Sequence, residues 1–147
     1  MIRKTEYLCV FLTGGVIYGC LELLWRGYTH WSMTIAGGIC LLLLHLINRK
    51  LGAWHLLARC LMGCFLITLV EFVIGIVVNR ILGLGVWDYS AMPGNVLGQI
   101  CPAFTVMWFF ISLPAFVLSG AVSRFFQWME KREEYGTFAG ETESSGF

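Results

Sequence analysis

The chain has 147 residues, 58% of them hydrophobic and only 13% charged, with a mean hydropathy of +0.75. A soluble domain carries roughly a quarter charged residues, so this composition excludes a water-soluble globule and assigns an integral membrane protein whose first partner is the lipid bilayer. The net charge of +1 offers nothing to recruit nucleic acid, and the basic residues are better read as topology signals.

Four apolar stretches follow one another, each close to the roughly 20 residues that a helix needs to cross the hydrocarbon. They run from Glu6 to Trp25, Ser32 to Ile47, Arg59 to Asn79 and Cys101 to Val122. The expected fold is an all-α polytopic bundle of four transmembrane helices within residues 1–123. An amphipathic end and an unfolded tail are expected over 124–147.

Arg3 and Lys4 precede the first helix, which carries Gly15 and Gly19 in a GxxxG spacing that suits close helix approach. Its Ile17-Tyr18-Gly19-Cys20 run loosely resembles a lipoprotein cleavage site, but Tyr18 is bulky where a small residue is wanted, so the helix is expected to be retained. Near its far end Glu22 and Arg26 stand four residues apart, the spacing at which a carboxylate and a guanidinium meet on one helical face.

The second helix is the short one, anchored by Trp31 at one interface and by Arg49 and Lys50 at the other. The third holds Glu71 in the middle of an apolar run. A carboxyl at that depth costs on the order of 3 kcal/mol on insertion scales, so it needs a partner or a wet cavity. It lies eight residues, about 12 Å of helix, inside Asn79. The expectations are therefore protonation, pairing with Arg26 or another cation, or exposure to a water-filled pocket.

The connection from Ile81 to Ile100 is long for a hairpin. It holds Trp87, Asp88, Tyr89 and Ser90, then Pro93-Gly94-Asn95 and Gly98-Gln99. Pro and Gly break a spanning helix while Trp and Tyr favour the headgroup zone, so the segment is expected to lie in the interface or to dip back as a lid. A plain surface loop is the competing expectation.

Past the fourth helix, Glu130 to Phe147 is rich in Glu, Gly, Ser and Thr, too polar to bury a core. Eight basic residues (Arg3, Lys4, Arg49, Lys50, Arg59, Arg124, Lys131 and Arg132) fall on one side of the bundle, against Arg26 and Arg80 on the other. The positive-inside rule then puts both termini in the cytoplasm of a plasma-membrane protein, with the long connection outside.

A faint echo relates Glu22, Arg26 and Trp31-Ser32-Met33 to Glu71, Arg80 and Trp87 through Met92, and would place both glutamates toward one outer vestibule. The six cysteines are dispersed through the spans with no metal-ligand spacing, and read as packing residues. No metal site or cofactor is expected.

The run from Glu71 through Gly75 and Asn79, then Gly85-Val86-Trp87-Asp88-Tyr89-Ser90, Pro93, Asn95, Gly98 to Cys101 and Trp108-Phe109, resembles the second half of a family of small bacterial membrane proteins. That family is known as putative ABC-transporter type IV, or putative ABC-transporter permease. The similarity covers about residues 10–120, and it implies a polytopic membrane protein engaged in transport. No GxxxxGK[ST] phosphate loop occurs, so such a permease needs a separate ATPase, and a partner membrane subunit or a homodimer to enclose a path.

Two functions stay open on the residues alone. In a binding or transport subunit, Glu22, Glu71 and Asp88 line an outward acidic pocket, tuned by Arg26 and Arg80, with Trp87 and Tyr89 as aromatic faces and Asn79, Asn95 and Gln99 beside them. In an intramembrane enzyme acting on a lipid or isoprenoid, Glu71 is the general acid or base. A purely structural subunit is the third reading.

Overall fold

The computed structural model describes the backbone of residues 2–144 and the side chains of residues 3–133. Helix α1 spans Ile2–Arg26, α2 Trp31–Lys50, α3 Leu56–Gly75 and α4 Pro102–Ser144. All four are long and apolar enough to cross a membrane, though their bounds differ from those of the apolar stretches, most of all in α4, which runs on past Val122. Helical backbone continues beyond Glu130 to Ser144, where composition predicts an unfolded tail. Residues 145–147 lie outside the described residues.

The helix ends follow local chemistry. Gly27, at φ 76°, stops α1, and the His30 side chain caps α2 by accepting from the Ser32 amide at 3.3 Å. Pro102 opens α4 at the position where its missing N–H costs nothing. The last turns of α3 widen into a π-helix over Ile76–Ile81. This is the hydrogen-bond pattern that absorbs one extra residue and recurs at functional positions.

The helices alternate in direction. The helix starts and ends that carry most of the basic residues gather at one end, the basic end. The segment 82–101 lies at the other, the loop end. Helix α1 packs mainly on α2, and α2 in turn touches α3 and α4. Helices α1 and α4 meet sparsely, which leaves a seam between them.

Close approach of α1 and α2 depends on glycine. A Cβ on Gly14 would stand 2.5 Å from the Gly37 carbonyl oxygen, a backbone atom that cannot yield, whereas around Gly19 the nearest atom is 3.7 Å away. The tight surface is thus Gly14 against Gly37, Gly15 against Thr34 and Gly38 against Phe11, within one chain. The GxxxG spacing of Gly15 and Gly19 is not what defines it. The core between α2, α3 and α4 is built from Leu44, Ile47, Cys60, Ile67, Trp108 and Phe116. Cys64 donates to the Thr105 carbonyl at 3.1 Å, so these two cysteines serve packing between α3 and its neighbours.

Candidate functional site

Segment 82–101 folds back on the bundle. A Cβ on Gly75 would meet Gln99 Oε1 at 2.6 Å and the Trp87 ring at 2.9 Å. Loop residues therefore sit beside a position six residues below the last π-helical residue, Ile81. Trp87 and Gln99 are both buried, so the segment is a plug within the helix ends, closer to the predicted lid than to a surface loop.

Its polar residues hold the plug in shape. Asn79 Nδ2 donates to Gln99 Oε1 at 2.8 Å, and Asn79 Oδ1 accepts from the Val86 amide at 2.7 Å. Trp87 Nε1 donates to the Gln99 carbonyl at 3.0 Å. Asn95 donates to the carbonyls of Ser90 and Met92 and accepts from the Gly98 amide, while Arg80 donates to the Leu97 carbonyl. Asp88 is exposed and accepts from both the hydroxyl and the amide of Ser90. These bonds, the hydroxyl first, hold its carboxyl below the ordinary aspartate range.

Glu71 is 7% exposed on α3 and touches no cation. Its Oε1 accepts from the Tyr89 hydroxyl at 3.0 Å and its Oε2 from Trp108 Nε1 at 2.9 Å. Of the three states expected for this carboxyl, pairing with Arg26 does not occur. Arg26 instead bonds Glu22 on its own helix and, through Nη1, the Val86 carbonyl at 2.8 Å, which straps α1 to the plug. Glu22 also accepts from Thr29 at 2.8 Å. Burial, and next the Glu71 carboxyl beside it, raises the Tyr89 phenol above the ordinary tyrosine value.

Beside this layer a cavity of about 280 Å3 lies in the seam between α1 and α4. Helix α1 contributes Tyr18, Leu21, Glu22, Trp25 and Arg26; the plug contributes Trp87 and Tyr89; α4 contributes Phe104, Met107, Trp108 and Ile111. Of the ten residues singled out from the sequence, Glu22, Arg26, Trp87 and Tyr89 line it. Glu71 stands one layer behind, holding two of its aromatic walls. Asn79, Arg80, Asp88, Asn95 and Gln99 are not in its lining. The chamber is therefore aromatic and apolar with one ion pair, and the expected cluster of three acids does not form in it.

Tyr18, Leu21, Trp25, Phe104, Met107, Trp108 and Ile111 also line the chamber and were not singled out from the sequence. Nothing distinguishes an aromatic residue that faces a cavity from one that faces a helix when both lie in an apolar run. The stacking of Tyr89 on Phe104, with centroids 4.6 Å apart, marks the wall only in three dimensions.

A second polar cluster, also unforeseen, sits toward the basic end. Arg59 Nη1 donates to Asn48 Oδ1 at 2.6 Å, and Asn48 Nδ2 donates to Ser119 Oγ at 3.2 Å. The Ser119 hydroxyl is then free to donate to His45 Nδ1, 3.0 Å away, which leaves the imidazole proton on Nε2. Nε2 lies 3.3 Å from Glu6 Oε1 but off the line of a good hydrogen bond. Glu6 also accepts from Arg49 at 2.6 Å and from Ser123 at 3.1 Å. His45 and Ser119 are 0% and 1% exposed, and this Ser–His–Glu series, extended through Asn48 and Arg59, ties all four helices together.

No curated protein and no solved structure matches the chain. A family model described as "Putative ABC-transporter type IV" matches residues 26–137, which takes in α2, α3, the plug and α4 as far as its side chains are described. With four membrane-length helices and that match over most of its length, the chain belongs to the putative ABC-transporter type IV family, a transporter-related family of multi-pass membrane proteins.

Proposed function

We propose that the protein is a membrane subunit of a transport system and that the cleft between α1, α4 and the plug binds a small apolar or amphipathic molecule. The observation that carries this reading is the cavity of about 280 Å3, walled by Tyr18, Trp87, Tyr89, Phe104 and Trp108 with the Glu22–Arg26 ion pair among its lining residues. Small-molecule sites are concave and mostly apolar with a few placed polar groups, and run from about 300 to 1,000 Å3, so this chamber suits a slender ligand. The plug's internal hydrogen bonds and the two bonds at Glu71 fix the walls in advance, which limits the ordering cost of binding.

By the positive-inside rule the basic end faces the cytoplasm and the cleft faces outward, in the plasma membrane. The sequence holds no phosphate loop, so energy comes from a separate ATPase, and a partner membrane subunit or a second copy completes the path. Purification in mild detergent followed by mass spectrometry tests the reading. An ATPase and a bound small molecule, the latter lost in a Phe104→Ala, Met107→Ala variant, are the expected result. A chain that purifies alone, with an empty cleft, refutes it.

A further inference from the structure

The cleft is part-open, and the exposed residues of its lining mark where it opens. At the loop end it is capped, because Arg26 Nη1 binds the Val86 carbonyl at 2.8 Å and Tyr89 reaches across to Glu71 at 3.0 Å. Toward the interior it is backed by Tyr18 and Trp108, whose rings lie 6.1 Å apart. Among the described residues no element stands between α1 and α4 on the remaining side, and there the flanking residues Leu21, Trp25 and Met107 are exposed and apolar. Along α1 the lining runs from Tyr18 to Arg26, about 12 Å parallel to the helix axis. In a bilayer that is the direction of the acyl chains, and the bordering solvent is hydrocarbon.

We infer that the cleft admits the hydrocarbon chain of a membrane lipid sideways from the bilayer, with the lipid's polar end at the Glu22–Arg26 pair. This rests on the cleft being the binding site proposed above. The chain lies between α1 and α4 against the Trp108 and Tyr89 rings, and the ion pair at the loop end supplies both signs of charge to a headgroup. A narrow groove, apolar along its length and charged at one end, matches an amphiphile with one slender tail better than a compact polar solute. Desolvating such a solute against these walls would leave its polar groups unpaired.

The tryptophans make the test direct. Trp25, Trp31, Trp54 and Trp128 are exposed, whereas Trp87 and Trp108 are buried and both line the cleft. The Trp25→Phe, Trp31→Phe, Trp54→Phe, Trp128→Phe variant of the full chain leaves only the two reporters in the cleft. In vesicles of phosphatidylcholine brominated on its acyl chains, their fluorescence should be quenched. Acrylamide from the water should have little effect. A second variant that also carries Leu21→Phe and Ile111→Phe, filling the groove, should lose the quenching by brominated lipid; equal quenching in both variants overturns the proposal, because it then arises through the protein wall. Quenching by acrylamide and not by brominated lipid overturns the lipid assignment while leaving a binding cleft open to water. Protection from both quenchers, as when a second copy or another subunit fills the seam, overturns the lipid assignment and the cleft reading together.

Discussion

Trp108 Nε1 on α4 donates to Glu71 Oε2 on α3 at 2.9 Å, and both partners are buried. The other carboxyl oxygen is taken by Tyr89, so one acid organises two elements. Glu71→Ala should leave the indole N–H and the phenol hydroxyl buried without acceptors, at about 1–3 kcal/mol each. Glu71→Gln should be milder, since its oxygen can serve Trp108 while the tyrosine hydroxyl turns to accept from its amide. Thermal unfolding in detergent, followed by tryptophan fluorescence, should rank wild type above Gln and Gln above Ala. Equal stability of all three would show that the carboxyl holds nothing.

Arg26 straps α1 to the plug through the Val86 carbonyl. Arg26→Ala should lower the unfolding temperature only modestly, because a partly exposed ion pair contributes about 0–1 kcal/mol and a charged hydrogen bond about 1.5–3 kcal/mol. Its larger effect should be local. A cysteine placed by Ser90→Cys in a background lacking the six native cysteines should react faster with a membrane-impermeant maleimide once the strap is gone. An unchanged rate would mean that the plug is held by its internal bonds alone.

At the basic end both Glu6→Leu and Glu6→Gln leave Arg49 without its counter-ion, but Glu6→Leu should destabilise more, since it also removes the acceptor oxygens for Arg49 and Ser123. Glu6 and Ser119 meet through His45, so a double-mutant cycle on Glu6→Gln and Ser119→Ala should give a coupling of about 0.5–3 kcal/mol. Strict additivity would argue against a continuous clamp.

Glycine substitutions should separate contact from spacing. Gly14→Ala puts a methyl group against the Gly37 backbone and should cost about 1–3 kcal/mol by overpacking. Gly19→Ala has room and should be neutral or slightly stabilising, through better helix propensity. A reversal of that order, read by thermal unfolding, would contradict the α1–α2 packing described.

Two groups in the plug give it a pH dependence at either extreme. The Asp88 carboxyl lies below its ordinary value, so its contribution is present above the unfolded aspartate pKa and is lost as acid protonates it in the folded chain. The Tyr89 phenol lies above its ordinary value, so its contribution is complete below the unfolded tyrosine pKa of about 10 and declines as pH rises beyond it. Maleimide labelling of an Ala91→Cys plug, which keeps the Ser90 hydroxyl on Asp88, should stop rising in acid when Asp88→Asn is added. In alkali it should stop rising with Tyr89→Phe. Rates corrected for thiol ionisation that ignore both substitutions would place the titrating groups elsewhere.

The fold was legible because a membrane-crossing helix must be about 20 apolar residues long, a constraint written directly into composition. Part of the site was legible for the same reason: Glu71, Glu22 and Arg26 stand out against an apolar background. The plug misled in its details. Asn79, Asp88, Asn95 and Gln99 are equally suited to binding a ligand and to closing turns, and here they close turns. Tyr18 and Phe104 carry no contrast with their apolar neighbours, and Glu6, His45 and Ser119 acquire meaning only when three helices bring them within reach.

The π-helical stretch over Ile76–Ile81 carries a constraint of register. It accommodates one residue more than an α-helix of the same rise, and Asn79 sits inside it, facing Gln99 and the Val86 amide. If the stretch became ordinary α-helix with all six residues kept, its far end would turn about 100° further, carrying the chain that leads to Val86 and Gln99 out of reach of the asparagine. The spacing between Glu71 and Trp87 is thus a phase angle as much as a length, and the loss of one residue is best absorbed within this stretch, where a return to α-helix keeps the phase.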